Sequence, residues 1–244
     1  MKADTIAEDV AGSHGPTDPA FAAQADKMFR ELVLANEFPC LGAKAAIHSS
    51  LFNVRCFPEM ASDQATADLA AGLLEFTITQ RAAPSDYATF VAIFAGPQET
   101  SEAEFEQLLW TQLRALHSED APNFDWDPSV GSDPSDPHFS FSFGGQALYV
   151  IGMHANSSRE ARRFPWPVLV FNPHVQFERL RADGKWKRMQ DSIRKRDLDL
   201  QGSINPMLND FGERSEARQY SGRAVGENWQ APFKAEPGKC PFGH

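Results

Sequence analysis

The residues best equipped for chemistry lie in one stretch, from His138 to His174. His154 follows an apolar run, and Arg159, Arg162 and Arg163 come shortly after it. An imidazole is a common metal ligand. Guanidinium groups pair well with carboxylates. A ligand-capable ring at a strand end, followed by clustered cations, suits a metal centre that also carries negative charge. His174 closes the stretch, and His48, His117 and His138 are further candidate ligands. A thiol stands apart from these rings, Cys40 in Phe38-Pro39-Cys40-Leu41-Gly42.

These side chains need elements to hold them. Phe139 to Phe143 alternates aromatic and small residues, the period of a half-buried strand. Gly144-Gly145 marks a tight turn, and Ala147 to Met153 reads as the returning strand of a hairpin. His154 then sits where that strand ends. Val168 to Asn172 reads as a third strand, leading through Pro173 to His174.

Upstream, Phe21, Ala25, Met28, Phe29, Leu32 and Val33 fit one helical face, and Ala43 to Ile47 begins a small-residue helix beside Cys40. Leu69, Leu73 and Phe76 give residues 63–80 a modest inner stripe. Ala88 to Ala95 is a near-continuous apolar run that Gly96-Pro97 stops, as in a central strand. Ser101 and Glu104 have capping-box spacing ahead of a helix carrying Phe105, Leu108, Leu109, Leu113 and Leu116 on one face. Lys185 to Asp197 is a basic helix, and the chain beyond Gly202 is irregular and expected to wrap the core.

Elements alternate without a βαβ rhythm, so the fold-class expectation is α+β. We expect a mixed or antiparallel central sheet flanked by helices, with a long irregular C-terminal wrap. The expected division is a loose leader over 1–18, a single domain over 19–233 and a tail over 234–244.

The chain has 244 residues, 42% of them hydrophobic, with 19 Phe and five Trp, enough for a core and an aromatic pocket. Its net charge of −10 argues against general binding to nucleic acid or to an anionic membrane. Yet 159–196 holds eleven Lys/Arg against four acids, a local basic face that suits a small anion or the anionic substituents of a cofactor. Three cysteines (Cys40, Cys56, Cys240) make neither a disulfide framework nor a zinc ribbon. No early apolar run resembles a signal peptide and no segment is long enough to span a membrane, so a soluble cytoplasmic protein is expected.

Several familiar motifs are missing. No Gly-rich phosphate loop follows a strand, H-E-x-x-H does not occur, and no G-x-S-x-G frames Ser157 or Ser158. Asp125, Asp127 and Ser129 mimic the start of a calcium loop, but Pro128 and the missing sixth-position glycine defeat it.

Longer motifs carry a resemblance. They are Phe38-Pro39-Cys40, the Phe-rich hairpin Phe139 to Gly145, His154-x-x-Ser157-Ser158-Arg159-x-x-Arg162-Arg163-Phe164 and Phe171-Asn172-Pro173-His174-x-x-Phe177-Glu178. Ile193-Arg194-x-Arg196-Asp197, Gln201 to Asp210 and Ser215 to Gly222 extend them, so the likeness runs from about Phe29 to Phe233. Together they resemble the YqcI/YcgG family, some members of which are similar to haem-dependent N-oxygenases of guanidino compounds. In place of an expected Trp-x-Cys-Pro-Phe ending, this chain has Trp229-Gln230-Ala231-Pro232-Phe233.

The resemblance implies haem b, bound without a C-x-x-C-H attachment. It also implies an N-monooxygenase that hydroxylates a guanidino or amino nitrogen of arginine or a related small molecule, using an electron donor or peroxide. On that reading His154 is the expected iron ligand, with His174 or Cys40 as competitors. Ser158, Arg159, Arg162 and Arg163 would hold the propionates, and the phenylalanines with Trp110 or Trp166 would wall the macrocycle. Glu178 or Glu216 would face a guanidinium. Two other readings stay open: a haem sensor or carrier without turnover, and a haem-free enzyme with Cys40 as nucleophile. A homodimer is one option for the assembly.

Overall fold

A computed structural model describes residues 17–236. Most of the expected leader over 1–18 and tail over 234–244, Cys240 included, therefore lies outside the described residues. The chain runs α1 (Pro19–Leu34), α2 (Leu41–His48), β1 (Phe52–Glu59), α3 (Asp63–Ala82), β2 (Thr89–Gly96) and α4 (Glu102–Asp120). It continues through β3 (Phe141–Phe143), β4 (Gln146–Met153), a 3-10 turn at Glu160–Arg162, β5 (Val168–Pro173), α5 (His174–Ala182), α6 (Trp186–Gln201) and α7 (Ala217–Tyr220). Five strands form an open mixed sheet in the order β1-β2-β5-β4-β3, with β1 and β2 parallel and the other pairs antiparallel. The α+β class with a mixed sheet is as expected, and so is the irregular chain after α6.

Local chemistry sets the boundaries. Ser101 and Glu104 close a reciprocal capping box at the head of α4. Asp18 caps α1, whose first residue is Pro19. Gly144 and Gly145 both take positive φ, 60° and 70°, in the two-residue turn that joins β3 to β4. β1 was not foreseen. Pro58 sits inside it, which a strand tolerates at a sheet edge, and β1 pairs only with β2.

The sheet has two unlike faces. Phe90, Ala92, Phe94, Leu148, Val150, Leu169 and Phe171 pack into one buried cluster with Leu69 and Leu73 of α3 and Phe105, Leu109 and Trp110 of α4. The alternate residues Val91, Ile93, Ile151, Met153, Val168 and Val170 face Phe29 and Val33 of α1 and Ala46 of α2. Side chains of successive strand residues point to opposite faces, so residue parity assigns each one its side.

Gly152, on the α4 side of β4, marks how closely that face is packed. A Cβ there would lie 2.7 Å from Phe105 Cε1, 2.8 Å from Leu109 Cδ1 and 2.9 Å from the Tyr220 carbonyl oxygen. The carbonyl cannot swing aside as a side-chain end could. Gly152→Ala is therefore expected to cost about 1–3 kcal/mol through overpacking. Urea unfolding should show a lower midpoint with an unchanged m-value.

Candidate functional site

The α1/α2 side of the sheet is not packed shut. A cavity of about 310 Å³ lies there, within the size range of small-molecule pockets. Tyr149, Ile151 and Met153 of β4 and Val170 and Asn172 of β5 form its floor. Phe29, Val33 and Phe38 close one end. Met189 and Ile193 of α6 form its roof.

Cys40 opens into this cavity. It is the N-cap residue of α2, and its Sγ accepts the Ala43 N–H at 3.4 Å. Burial pushes the thiol pKa up. The N–H groups of Ala43 and Gly42 and the Lys44 ammonium offset only part of that rise. A Cβ on Gly42 would meet nothing but that sulfur, at 3.9 Å, so the space beside the thiol is free of bulk.

His174 also faces the cavity, on the parity of Val170 and Asn172. It is buried, with its ring centroid 4.4 Å from that of Phe211, and burial lowers its pKa.

The opposite corner is polar. Tyr149 O–H donates to Gln219 Oε1 at 2.8 Å. Glu216 is fully enclosed, and one of its oxygens accepts from both Ser140 O–H (2.7 Å) and Tyr220 O–H (2.6 Å). Burial pushes its pKa up to about 8 against these bonds. Arg162 reaches the same region. Its Nη1 donates to the carbonyls of Tyr220 (3.0 Å) and Gly152 (3.3 Å), and burial opposes its charge. No carboxylate pairs with it among the described residues.

The other expected site residues go elsewhere. His154 has the parity of Gly152, which turns it to the α4 side. There it stacks on Phe105 with ring centroids 4.4 Å apart, buried and away from the cavity. Arg159 lines the cavity, but its guanidinium is held by Asp197 at 2.7 Å and by the Ser203 carbonyl at 2.8 Å. Arg163 donates to the Ser157 carbonyl, and Ser158 bonds Glu102 at the surface. Trp110 is packed behind the sheet with Tyr220 and Trp229. Glu178 is exposed and paired with Arg181.

The cavity thus gathers Cys40, His174, Arg159, Arg162 and Glu216, and leaves out His154, Ser158, Arg163, Trp110 and Glu178. Tyr149 and Gln219 were not foreseen. Tyr149 shares the parity of Ile151 and Met153, a signal present in the sequence.

Glu216 has a consequence for stability. Its pKa rises from the usual 4.5 to about 8 on folding, so the folded chain holds a proton that the unfolded chain has lost between those values. That contribution to stability falls as pH rises through this window and levels off above it. Glu216→Gln keeps the size and the acceptor oxygen but cannot ionise. Relative to the wild type, this variant is expected to gain several degrees in Tm at about pH 9 and little at about pH 5. Calorimetry of both proteins at the two pH values checks it, and a pH-independent difference would contradict the burial argument.

Among the described residues, no helix is long and apolar enough to cross a membrane. Residues 29–234 match the YqcI/YcgG family. The chain is 28% identical over 194 residues to "Uncharacterized protein YqcI" of Bacillus subtilis (strain 168), covering 76% of this chain and 75% of that one. No solved structure matches. The cavity and its polar corner are therefore built entirely within the matched segment, and the chain belongs to the YqcI/YcgG family.

Proposed function

We propose that this protein is a haem-dependent oxygenase that hydroxylates a guanidino or amino nitrogen of a small molecule. The observation that carries this reading is Cys40, a thiol at a helix N-terminus opening into an apolar cavity, with a polar corner across from it.

The residues fit the group. Haem iron takes an axial ligand from a small set that includes the Cys thiolate, and N–H donors at a helix N-terminus favour that charge. Among the described residues, no three His, Cys, Asp or Glu side chains gather as a multi-ligand metal site would need. Gly42 puts no side chain beside the sulfur, and Phe29, Phe38, Phe52, Ile151 and Met153 offer apolar walls. Arg194, whose carboxylate contact with Asp210 is 3.7 Å, lies among the lining residues and can meet a propionate. On this reading Cys40, not His154, carries the iron, and His174 is its rival within the cavity. The thiolate-bound haem would supply oxygen activation, with electrons from a donor protein or with peroxide as oxidant.

The chain's own residues do the rest. Glu216, ionising on contact with a cation, faces the substrate's guanidinium or ammonium group. Tyr149 and Gln219 fix that end by hydrogen bonds, and the apolar walls exclude water. Glu216 gives up its proton when the cationic group arrives, because the new charge pulls its pKa down.

Cys40→Ser, His174→Ala and His154→Ala, purified with haem, separate the alternatives. Cys40→Ser is expected to lose the strongly red-shifted ferrous-CO Soret band of a thiolate haem, while both histidine variants keep it. Loss of the band in His174→Ala with retention in Cys40→Ser moves the iron to the histidine. Loaded protein given guanidino compounds, reductant and oxygen, or peroxide, should release an N-hydroxylated product. Haem-bound protein that never turns over would be a carrier or sensor.

A further inference from the structure

Four oxidisable rings run from the cavity, through the aromatic layer behind the sheet, to the surface. Tyr149 lines the cavity, and its ring centroid is 6.0 Å from that of Tyr220. Tyr220 stacks on Trp110 at 5.7 Å and 25°, and Trp110 lies 6.3 Å from Trp229. Tyr220 and Trp110 are fully buried, and Trp229 is partly exposed. Phe105, Phe139, Phe141 and Phe233 fill the same cluster and are far harder to oxidise. A hydrophobic core needs none of its rings to be Tyr or Trp, yet these four touch in one unbroken path, while Trp126 of the same cluster meets only His117 and phenylalanines.

Hydrogen bonding at the surface end of the path favours loss of an electron, whereas Tyr149 O–H meets only the amide oxygen of Gln219. A phenol or indole is oxidised most easily when its proton has somewhere to go. Tyr220 O–H donates to Glu216 at 2.6 Å, and that carboxyl can take the phenol proton only while it is ionised. Trp229 Nε1–H donates to Glu106 Oε1 at 2.6 Å, and Arg223 holds the same carboxylate. Trp110 Nε1 has no partner, so this ring can pass an electron but has nowhere to send a proton. The path therefore has a buried step in the middle and a proton-accepting terminus at the surface.

We infer that Tyr149, Tyr220, Trp110 and Trp229 form a hole-transfer relay that carries oxidising equivalents from the cavity to Trp229. This rests on the haem reading above, with a peroxide as the oxidant. An electron lost by Tyr149 to the cavity is replaced from Tyr220, then from Trp110, then from Trp229. The Trp229 Nε1 proton passes to Glu106. A second electron and proton leave by the same route, and the oxidised indole takes up water. Hydrogen peroxide plus two electrons and two protons gives two waters. The net change is Trp229 plus peroxide giving a singly oxygenated Trp229 plus one water. The relay would spare the cavity when peroxide is reduced there without substrate, with Trp229 as the sacrificial end.

The test uses the full chain loaded with haem, treated with stoichiometric hydrogen peroxide without substrate, and read by peptide mapping for one added oxygen on Trp229. Wild type is expected to show this product and the haem-free chain is not. Trp110→Phe breaks no hydrogen bond, and it should cut the oxygenated Trp229 at least tenfold with the haem spectrum unchanged. If that variant does not fold, Trp110→Leu takes its place. Equal oxygenation of Trp229 in wild type and variant, or in the haem-free chain, means direct attack from solvent and overturns the relay. Loaded wild-type protein with Trp229 untouched overturns the relay alone. A chain that takes up no haem overturns the cofactor reading by its spectrum, and the relay with it.

Discussion

The Arg159–Asp197 ion pair fastens α6 over the cavity. Both side chains are about nine-tenths buried, and their nitrogen and oxygen lie 2.7 Å apart. Burying two charges costs several kcal/mol unless further hydrogen bonds complete them. Here they do: Arg159 also donates to the hydroxyl and carbonyl of Ser203, and Asp197 also accepts the Asn205 N–H. The cluster ties the turn after β4 to α6 and to the chain that follows it. Only Gln190 and Asp197 of α6 are buried, while Met189 and Ile193 line the cavity. An apolar helix face over a cavity gains little from burial, so a polar latch has to keep it in place.

The other consequence of this arrangement is the asymmetry of the sheet. Its α3/α4 side is filled with interlocking aromatics, so even one added methyl at Gly152 would clash. Its α1/α2 side carries a gap. Rigidity and room are thus divided between the two faces, and strand parity decides which a residue joins. Tyr149 lines the cavity yet touches Tyr220 of the aromatic layer, so the two sides meet at that ring.

Much of this was legible in the sequence, where the signals are local. The capping box of α4, the Gly-Gly hairpin and the apolar run of β2 depend on neighbours within a few residues, and they appear as expected. β1 is not legible there, because Pro58 argues against a strand until its edge position is known. The site was harder to read. The arginine run suggested a free anion cradle, but the partners of Arg159 are Asp197 and Ser203, far along the chain. Nothing near 159 in sequence reveals that pairing. Parity could have separated His154 from Tyr149, Ile151 and Met153, since both sets lie on or next to one strand. The meeting of Cys40 with Glu216 depends on the full fold.

Tyr220 explains why the polar corner keeps its charges unspent. Its carbonyl accepts from Arg162 and its hydroxyl donates to Glu216, so one residue engages a buried base and a buried acid by opposite ends. Neither has a salt-bridge partner of its own among the described residues. Burial raises the pKa of Glu216 and lowers that of Arg162, the directions in which an enclosed group sheds its charge. A direct ion pair between them would remove both shifts and lower the energy of the empty cavity. Holding them apart leaves an acceptor for a cation and a donor for an anion, each short of one partner, against apolar walls. The corner is less stable than it would be if paired, and that deficit is available to whatever ligand completes it.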